Sequence, residues 1–220
     1  QDILEVKAAI FGTREAFKAV GREVPIQASV SLLPQGGKML LGTDIAAVVT
    51  TLAALDVDVI GLNCSTGPED MRDAIRYLGE NSPLPVHCIP NAGLPLQGPD
   101  GETIFPETPD QISSVLGEFV ERHNVGIVGG CCGTTPDHIR ALAERVAGRV
   151  PGERPAKTPP LVSSMMTATD LVQAPRPRVA ASNTLAVASK RRSMTGALGR
   201  SLPNSCQVAP KPIQAGVQSE

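Results

Sequence analysis

The stretch Val125-Gly-Ile-Val-Gly-Gly-Cys-Cys-Gly-Thr-Thr-Pro136 combines a short apolar run, a glycine-rich turn and the start of a helix. The apolar run predicts a buried strand. Thr135 followed by Pro136 predicts an N-cap and the first residue of a helix, which we expect to run to about Val146. A strand that passes through a short turn into a helix is the repeating unit of parallel α/β folds.

The same unit recurs upstream of this stretch. Further strands are predicted at residues 25–32, 57–64 and 84–91. Their helices are expected at 43–55 with Thr43 as N-cap, at 68–78 with Pro68 in the first position, and after the capping box Thr108-Pro-Asp-Gln111. Four strand–helix units in series predict right-handed crossovers and a parallel sheet.

Residues 1–19 have the apolar spacing of a helix, but no strand precedes them. A four-stranded parallel sheet fits either a small doubly wound fold or half of a (β/α)₈ TIM barrel, which needs about 250 residues. An entry helix without its strand favours the second fold. We therefore expect the C-terminal half of a barrel, made of an entry helix and four βα units, in a chain that begins in the middle of a unit.

Composition separates residues 1–150, the predicted domain, from residues 151–220, a predicted linker and unstructured tail. The first part has a net charge of -8 and the second +6, and the second contains nine prolines and no aromatic residue. An acidic domain argues against nucleic acid as a partner. The basic cluster 190–192 is too short for a functional patch, so we interpret it as part of a solvated linker.

No apolar run is long enough for a bilayer span, so no membrane association is expected. The first residues also lack the pattern of a signal peptide. We therefore expect a cytoplasmic protein in a reducing compartment, where disulfides are rare.

Cysteines are the candidate chemical groups, and three of them share a position in the fold. Cys64, Cys131 and Cys132 come at the carboxyl ends of predicted strands, the edge where parallel α/β proteins bind ligands. Three thiolates leave a fourth position open, as in catalytic zinc sites. Cys88 and Cys206 are interpreted as small apolar residues. A thiol redox pair at Cys131–Cys132 in a doubly wound protein is an alternative.

Three sequence words resemble one known family. They are Gly61-Leu-Asn-Cys-Ser-Thr-Gly-Pro68, Pro90-Asn-Ala-Gly93 and Gly129-Gly-Cys-Cys-Gly-Thr-Thr-Pro136. Together they resemble the homocysteine S-methyltransferase domain, most closely the homocysteine-binding barrel of cobalamin-dependent methionine synthases. The resemblance extends from residue 1 to about residue 178, and it implies a (β/α)₈ barrel.

The resemblance also implies roles for particular residues. Cys64, Cys131 and Cys132 take the positions of the zinc ligands, and no catalytic residue is implied beyond this zinc site. Asn91 takes the position of a residue beside the metal, and it is a candidate for a weak ligand or a substrate contact. Asn63 is a weaker candidate for substrate binding, with a structural role as the alternative.

The implied function is zinc-dependent methyl transfer to the thiol of homocysteine, giving methionine. The implied methyl donor is methylcobalamin carried by another domain, and the implied partners are the cobalamin- and folate-binding domains of a longer enzyme. The family's first strands, which hold the amino-acid end of the substrate, have no counterpart in the sequence. The alternative is therefore a truncated, inactive remnant that at most binds zinc. Beyond about Arg178 the likeness stops, and we consider an out-of-frame segment or an ordinary disordered linker.

Overall fold

The computed structural model describes residues 2–154 and 160–171, and a four-stranded parallel sheet forms its centre. Its strands are β1 (Gln27–Val30), β2 (Val59–Asn63), β3 (Val86–Ile89) and β6 (Val125–Val128). They pair in the order β1-β2-β3-β6. The predicted mixed α/β architecture with a parallel sheet is confirmed. The paired strands are shorter than the predicted apolar runs.

The helices follow the predicted order with corrected ends. They are α1 (Ile3–Val20), α2 (Ile45–Ala53), α3 (Arg72–Asn81), α4 (Pro109–His123) and α5 (Pro136–Val146). The capping box at Thr108 and the N-cap at Thr135 are confirmed. Arg14 of α1 donates a hydrogen bond to the carbonyl of Asp56 at 3.0 Å, which ties the first helix to the turn before β2.

Two predicted helix starts are wrong. The N-cap of α2 is Asp44, whose Oδ1 accepts the N–H of Ala47 at 2.7 Å, and not Thr43. Thr43 instead donates its hydroxyl to the carbonyl of Met165 at 2.8 Å. Pro68 precedes a single 3₁₀ turn, Glu69–Met71, so the regular helix starts at Arg72.

The hydrophobic core lies between the helices and one face of the sheet. Alternate residues of β1, Ala28 and Val30, are buried, while Gln27 and Ser29 point to the opposite, more exposed face. Ile75 of α3 and Phe119 of α4 are completely buried. The core comprises aliphatic side chains from all five helices and all four strands, together with Cys88 and Phe119.

Two small antiparallel hairpins accompany the sheet. The first, β4 (Leu96–Gln97) with β5 (Thr103–Ile104), lies in the long loop after β3. The second, β7 (Leu161–Ser163) with β8 (Ala168–Asp170), packs on α2, where the Ser163 and Thr51 hydroxyls are 3.0 Å apart. This hairpin lies within residues 151–220, the predicted linker and unstructured tail, and contacts with α2, which no local sequence pattern indicates, hold it in place.

Residues 155–159 and 172–220, which include the basic cluster, Cys206 and the predicted out-of-frame segment, lie outside the described residues. The boundary between domain and tail therefore stays a prediction. No helix within the described residues combines the length and the apolar character needed to cross a membrane.

Candidate metal centre

The three cysteines at the predicted edge come together. Cys64 directly follows β2, and Cys131 and Cys132 follow β6 in the next turn. The Sγ atom of Cys132 lies 3.7 Å from that of Cys64 and 3.9 Å from that of Cys131. All three sulfurs lie within 4.8 Å of one another, and all three are free thiols. Among the described residues, they form a cluster able to hold a metal ion.

The spacing of the sulfurs fits a zinc ion. A Zn–S bond of about 2.3 Å in a tetrahedral site requires about 3.8 Å between ligand sulfurs. Two of the three separations, 3.7 and 3.9 Å, match that length. Three thiolates of this kind would hold Zn²⁺ and leave the fourth tetrahedral position free for another ligand.

An unusual backbone conformation carries the first cysteine. Cys64 and Ser65 have φ values of 59° and 66°, in the left-handed region that non-glycine residues seldom occupy. Two hydrogen bonds hold this turn: Cys64 N–H donates to the carbonyl of Ile89 at 3.0 Å, and Thr66 N–H donates to that of Cys64 at 2.8 Å. Such strain persists only where its surroundings enforce it, which is common at functional sites.

The cysteine pair is held by the loop that follows the middle strand, β3. Cys131 N–H donates to the carbonyl of Pro90 at 2.7 Å, and Ala92 N–H donates to that of Cys132 at 2.9 Å. Cys132 N–H donates to Oδ1 of Asn91 at 3.1 Å. The pair therefore lies on irregular backbone beyond the strand, which lets two neighbouring side chains approach the same point.

The two asparagines occupy different places. Asn91 is 4% exposed, and its side chain hydrogen-bonds both the Cys132 backbone and the Cys64 sulfur. Asn63 is half-buried, and its Oδ1 accepts the hydroxyl of Ser29 at 2.5 Å. Asn91 therefore contacts the cysteines directly, whereas the Asn63 side chain is hydrogen-bonded to Ser29. Substrate binding by either residue stays a prediction.

The thiols differ in their readiness to ionise. Burial opposes ionisation of Cys64, but hydrogen bonds from the Ser65 backbone, both other thiols and Asn91 lower its pKa below the usual value. Burial, together with its Cys64 and Cys132 contacts, raises the pKa of Cys131 to about 11. A metal cation reverses this preference, because it stabilises every ligand as a thiolate.

His138, for which the sequence predicts no role, stabilises the loops at this edge of the sheet. His138 is buried, and its Nδ1 accepts the N–H of Thr135 at 3.1 Å, so its Nε2–H donates to the carbonyl of Glu107 at 2.9 Å. This bond holds the end of the long loop after β3 beside Gly133, which Phe105 covers. The position of His138 three residues after a threonine N-cap is the signal that indicates its role.

Comparisons with known proteins indicate the family of this chain. The chain is 44% identical over 180 residues to "Methionine synthase" of Mycobacterium leprae (strain TN), which covers 80% of the chain and 15% of that protein. It is 43% identical over 173 residues to "Methionine synthase" of Mycobacterium tuberculosis (strain ATCC 25618 / H37Rv), covering 79% and 14%. The chain thus spans about a seventh of the length of these curated relatives. The sequence profile described as Homocysteine S-methyltransferase matches residues 1–146, more than half of the chain, and the chain therefore belongs to the homocysteine S-methyltransferase family.

Proposed function

We propose that Cys64, Cys131 and Cys132 bind one zinc ion and that the chain takes part in methyl transfer to the thiol of homocysteine, giving methionine. The observation that carries this proposal is the spacing of the three sulfurs, which suits a tetrahedral zinc site with one free position. Membership of the homocysteine S-methyltransferase family supports homocysteine as the substrate that occupies this position.

The cysteines determine what the site does chemically. Zinc held by Cys64, Cys131 and Cys132 would supply a Lewis acid that lowers the pKa of the homocysteine thiol, so that the thiol proton would pass to solvent near neutral pH. Three cysteinates around a divalent cation leave a net negative charge, so they limit how much electron density is drawn from the substrate sulfur. The substrate sulfur then attacks the methyl carbon of the donor, so that a sulfur–carbon bond forms. The bond between methyl group and donor breaks, and its electron pair stays with the donor.

The methyl donor and the rest of the fold extend the proposal. The parallel order β1-β2-β3-β6, with helices packed on one face, supports the C-terminal part of a (β/α)₈ barrel. The matched relatives are much longer than this chain. Their length leaves room for further domains, and we propose methylcobalamin, carried by a separate cobalamin-binding domain, as the donor, with a folate-binding domain as a further partner. The cytoplasmic location stays a prediction.

Metal analysis of the purified 220-residue chain tests the zinc site. We expect about one tightly bound Zn²⁺ per chain, lost in Cys64→Ser, Cys131→Ser and Cys132→Ser. Cys88→Ala is the matched control, because Cys88 is completely buried in the core and lies outside the cluster. Zinc retained by all three serine variants would refute the ligand assignment.

A methyl-transfer assay tests the reaction. Homocysteine and methylcobalamin are incubated with the zinc-loaded chain, and methionine is measured by mass spectrometry. Methionine formation that depends on Cys132 supports the proposal. Zinc binding without methionine formation supports the alternative, an inactive zinc-binding chain.

A further inference from the structure

A row of polar side chains crosses three neighbouring strands next to the metal centre. Nε2 of His87 on β3 lies 2.8 Å from Oγ of Ser29 on β1, and this hydroxyl donates to Oδ1 of Asn63 on β2 at 2.5 Å. The three side chains form one continuous hydrogen-bonded chain. No functional role is predicted from the sequence for His87 or Ser29.

The strand register explains how these three side chains span the sheet. Ser29 pairs with Gly61, and Gly61 pairs with His87, so these three positions form one row across β1, β2 and β3. A Cβ atom at Gly61 would overlap the backbone and ring of His87. The missing side chain at Gly61 is therefore what lets the imidazole lie across β2 and reach Ser29.

The direction of the hydrogen bonds defines which ring nitrogen of His87 carries the proton. Because the Ser29 hydroxyl donates to Asn63, it accepts from His87, and the ring proton is on Nε2. His87 is 0% exposed, and its Nδ1 has no partner among the described residues. Burial also lowers the pKa of His87 to about 4, so the ring is neutral. Burying a polar ring with an unpartnered nitrogen lowers the stability of the protein, and such a group in a folded protein calls for an explanation.

The row of hydrogen-bonded side chains ends at Asn63, which directly precedes the candidate metal ligand Cys64. Asn63 is the last residue of β2, and the backbone turns into the left-handed region at Cys64 directly after it. Holding the Asn63 side chain limits rotation of the backbone from which the Cys64 sulfur projects. Groups that orient ligands without touching the metal typically change metal affinity about 10- to 100-fold when they are removed.

We propose that His87 is a positioning residue of the metal centre, which orients Asn63 through Ser29 and so fixes the direction of the Cys64 thiolate. This inference rests on the proposed zinc site, and it assigns to Asn63 a supporting role in place of the predicted substrate contact.

The experiment compares four variants of the full chain with a fifth, a matched control. Ser29→Ala removes the relay at an exposed position, so it is expected to fold, and Ser29→Thr keeps the hydroxyl. His87→Leu removes the donor, and His87→Gln keeps an N–H donor. Ser114→Ala, an exposed serine on α4, is the matched control. Zn²⁺ affinity is measured by competition with a chromophoric chelator, and ligand geometry by the visible absorption of the Co²⁺-substituted protein.

We expect about tenfold weaker Zn²⁺ binding and a changed Co²⁺ spectrum for Ser29→Ala and His87→Leu. Ser29→Thr, His87→Gln and Ser114→Ala should stay close to the wild type. Unchanged affinity and spectrum in Ser29→Ala would overturn the inference and leave the zinc site standing, even if the melting temperature falls. A wild-type chain that binds no zinc would overturn both.

Discussion

Replacing Asn91 by alanine tests whether the loop after β3 holds together the two loops that carry the cysteines. The Asn91 side chain accepts the Cys132 N–H at 3.1 Å and hydrogen-bonds the sulfur of Cys64. It therefore contacts both loops from a position that is 4% exposed. Its removal leaves a backbone donor and a sulfur without their partner, but it removes none of the three thiols.

The magnitude follows from these contacts. Loss of one partner of a buried hydrogen bond costs about 1–3 kcal/mol. Because Cys132 is exposed, water can reach its N–H, so the free energy of unfolding of the metal-free Asn91→Ala protein should fall by about 1–2 kcal/mol. If the zinc-bound protein is destabilised by about twice as much as the metal-free protein, the difference weakens Zn²⁺ binding about tenfold, since about 1.4 kcal/mol corresponds to a factor of ten.

Urea unfolding with and without Zn²⁺, combined with chelator competition, measures both quantities. Asn81→Ala is the matched control, because the Asn81 amide donates to the Tyr77 carbonyl at 3.0 Å on α3. The control should lose some stability but no zinc affinity. If Asn91→Ala is destabilised but binds Zn²⁺ within twofold of the wild type, the proposed coupling between the loops is refuted. A rise in KM for homocysteine at unchanged zinc affinity would instead favour the predicted substrate contact.

Three further predictions concern the surroundings of the site. Gly133→Ala should destabilise the protein by at least about 1–2 kcal/mol, because Gly133 has a φ of 78° and lies under Phe105; a wild-type melting temperature would contradict this. The free energy of unfolding should fall by about 3 kcal/mol from pH 7 to pH 4, because burial lowers the pKa of His87 to about 4. The neutral ring contributes fully to stability above about pH 6.5, the usual pKa of histidine, and this contribution is lost as the pH falls from 6.5 to 4. His87→Gln should flatten this acid dependence in urea titrations, and equal slopes would rule out His87 as its source. Thr43→Val should cost about 1 kcal/mol and speed proteolysis within 160–171, since its hydroxyl holds Met165; unchanged cleavage would show that the hairpin does not depend on this bond.

Much of the site could be predicted because local sequence encodes it. Each of the three cysteines comes shortly after an apolar run, and parallel strands bring such positions to one edge of a sheet. The glycines around Cys131 and Cys132 predict the irregular backbone that lets both side chains face one point. These signals are short-range, and the structure places the three sulfurs as they imply.

What could not be predicted depends on contacts between distant segments. Thr43 and Asp44 are both good N-caps, and the choice of Asp44 follows from a bond between Thr43 and Met165, 122 residues away. His87 has no pattern of its own in the sequence. Its importance becomes visible only when the register places Gly61 and Ser29 beside it.

The sheet order makes the middle strand decisive for a site to which it contributes no ligand. Cys64 follows β2 and the cysteine pair follows β6, while β3 lies between these strands. The sulfurs can meet only above the end of β3, so the loop after β3 must leave room and bond both sides. Its Asn91 side chain meets this requirement beside the sulfurs, and His87 within β3 reaches Asn63 at the base of Cys64 through Ser29. Removing the His87 donor or the Asn91 amide should therefore alter zinc binding while sparing every ligand. This dependence separates a metal centre built by the sheet from three cysteines that lie close together by chance.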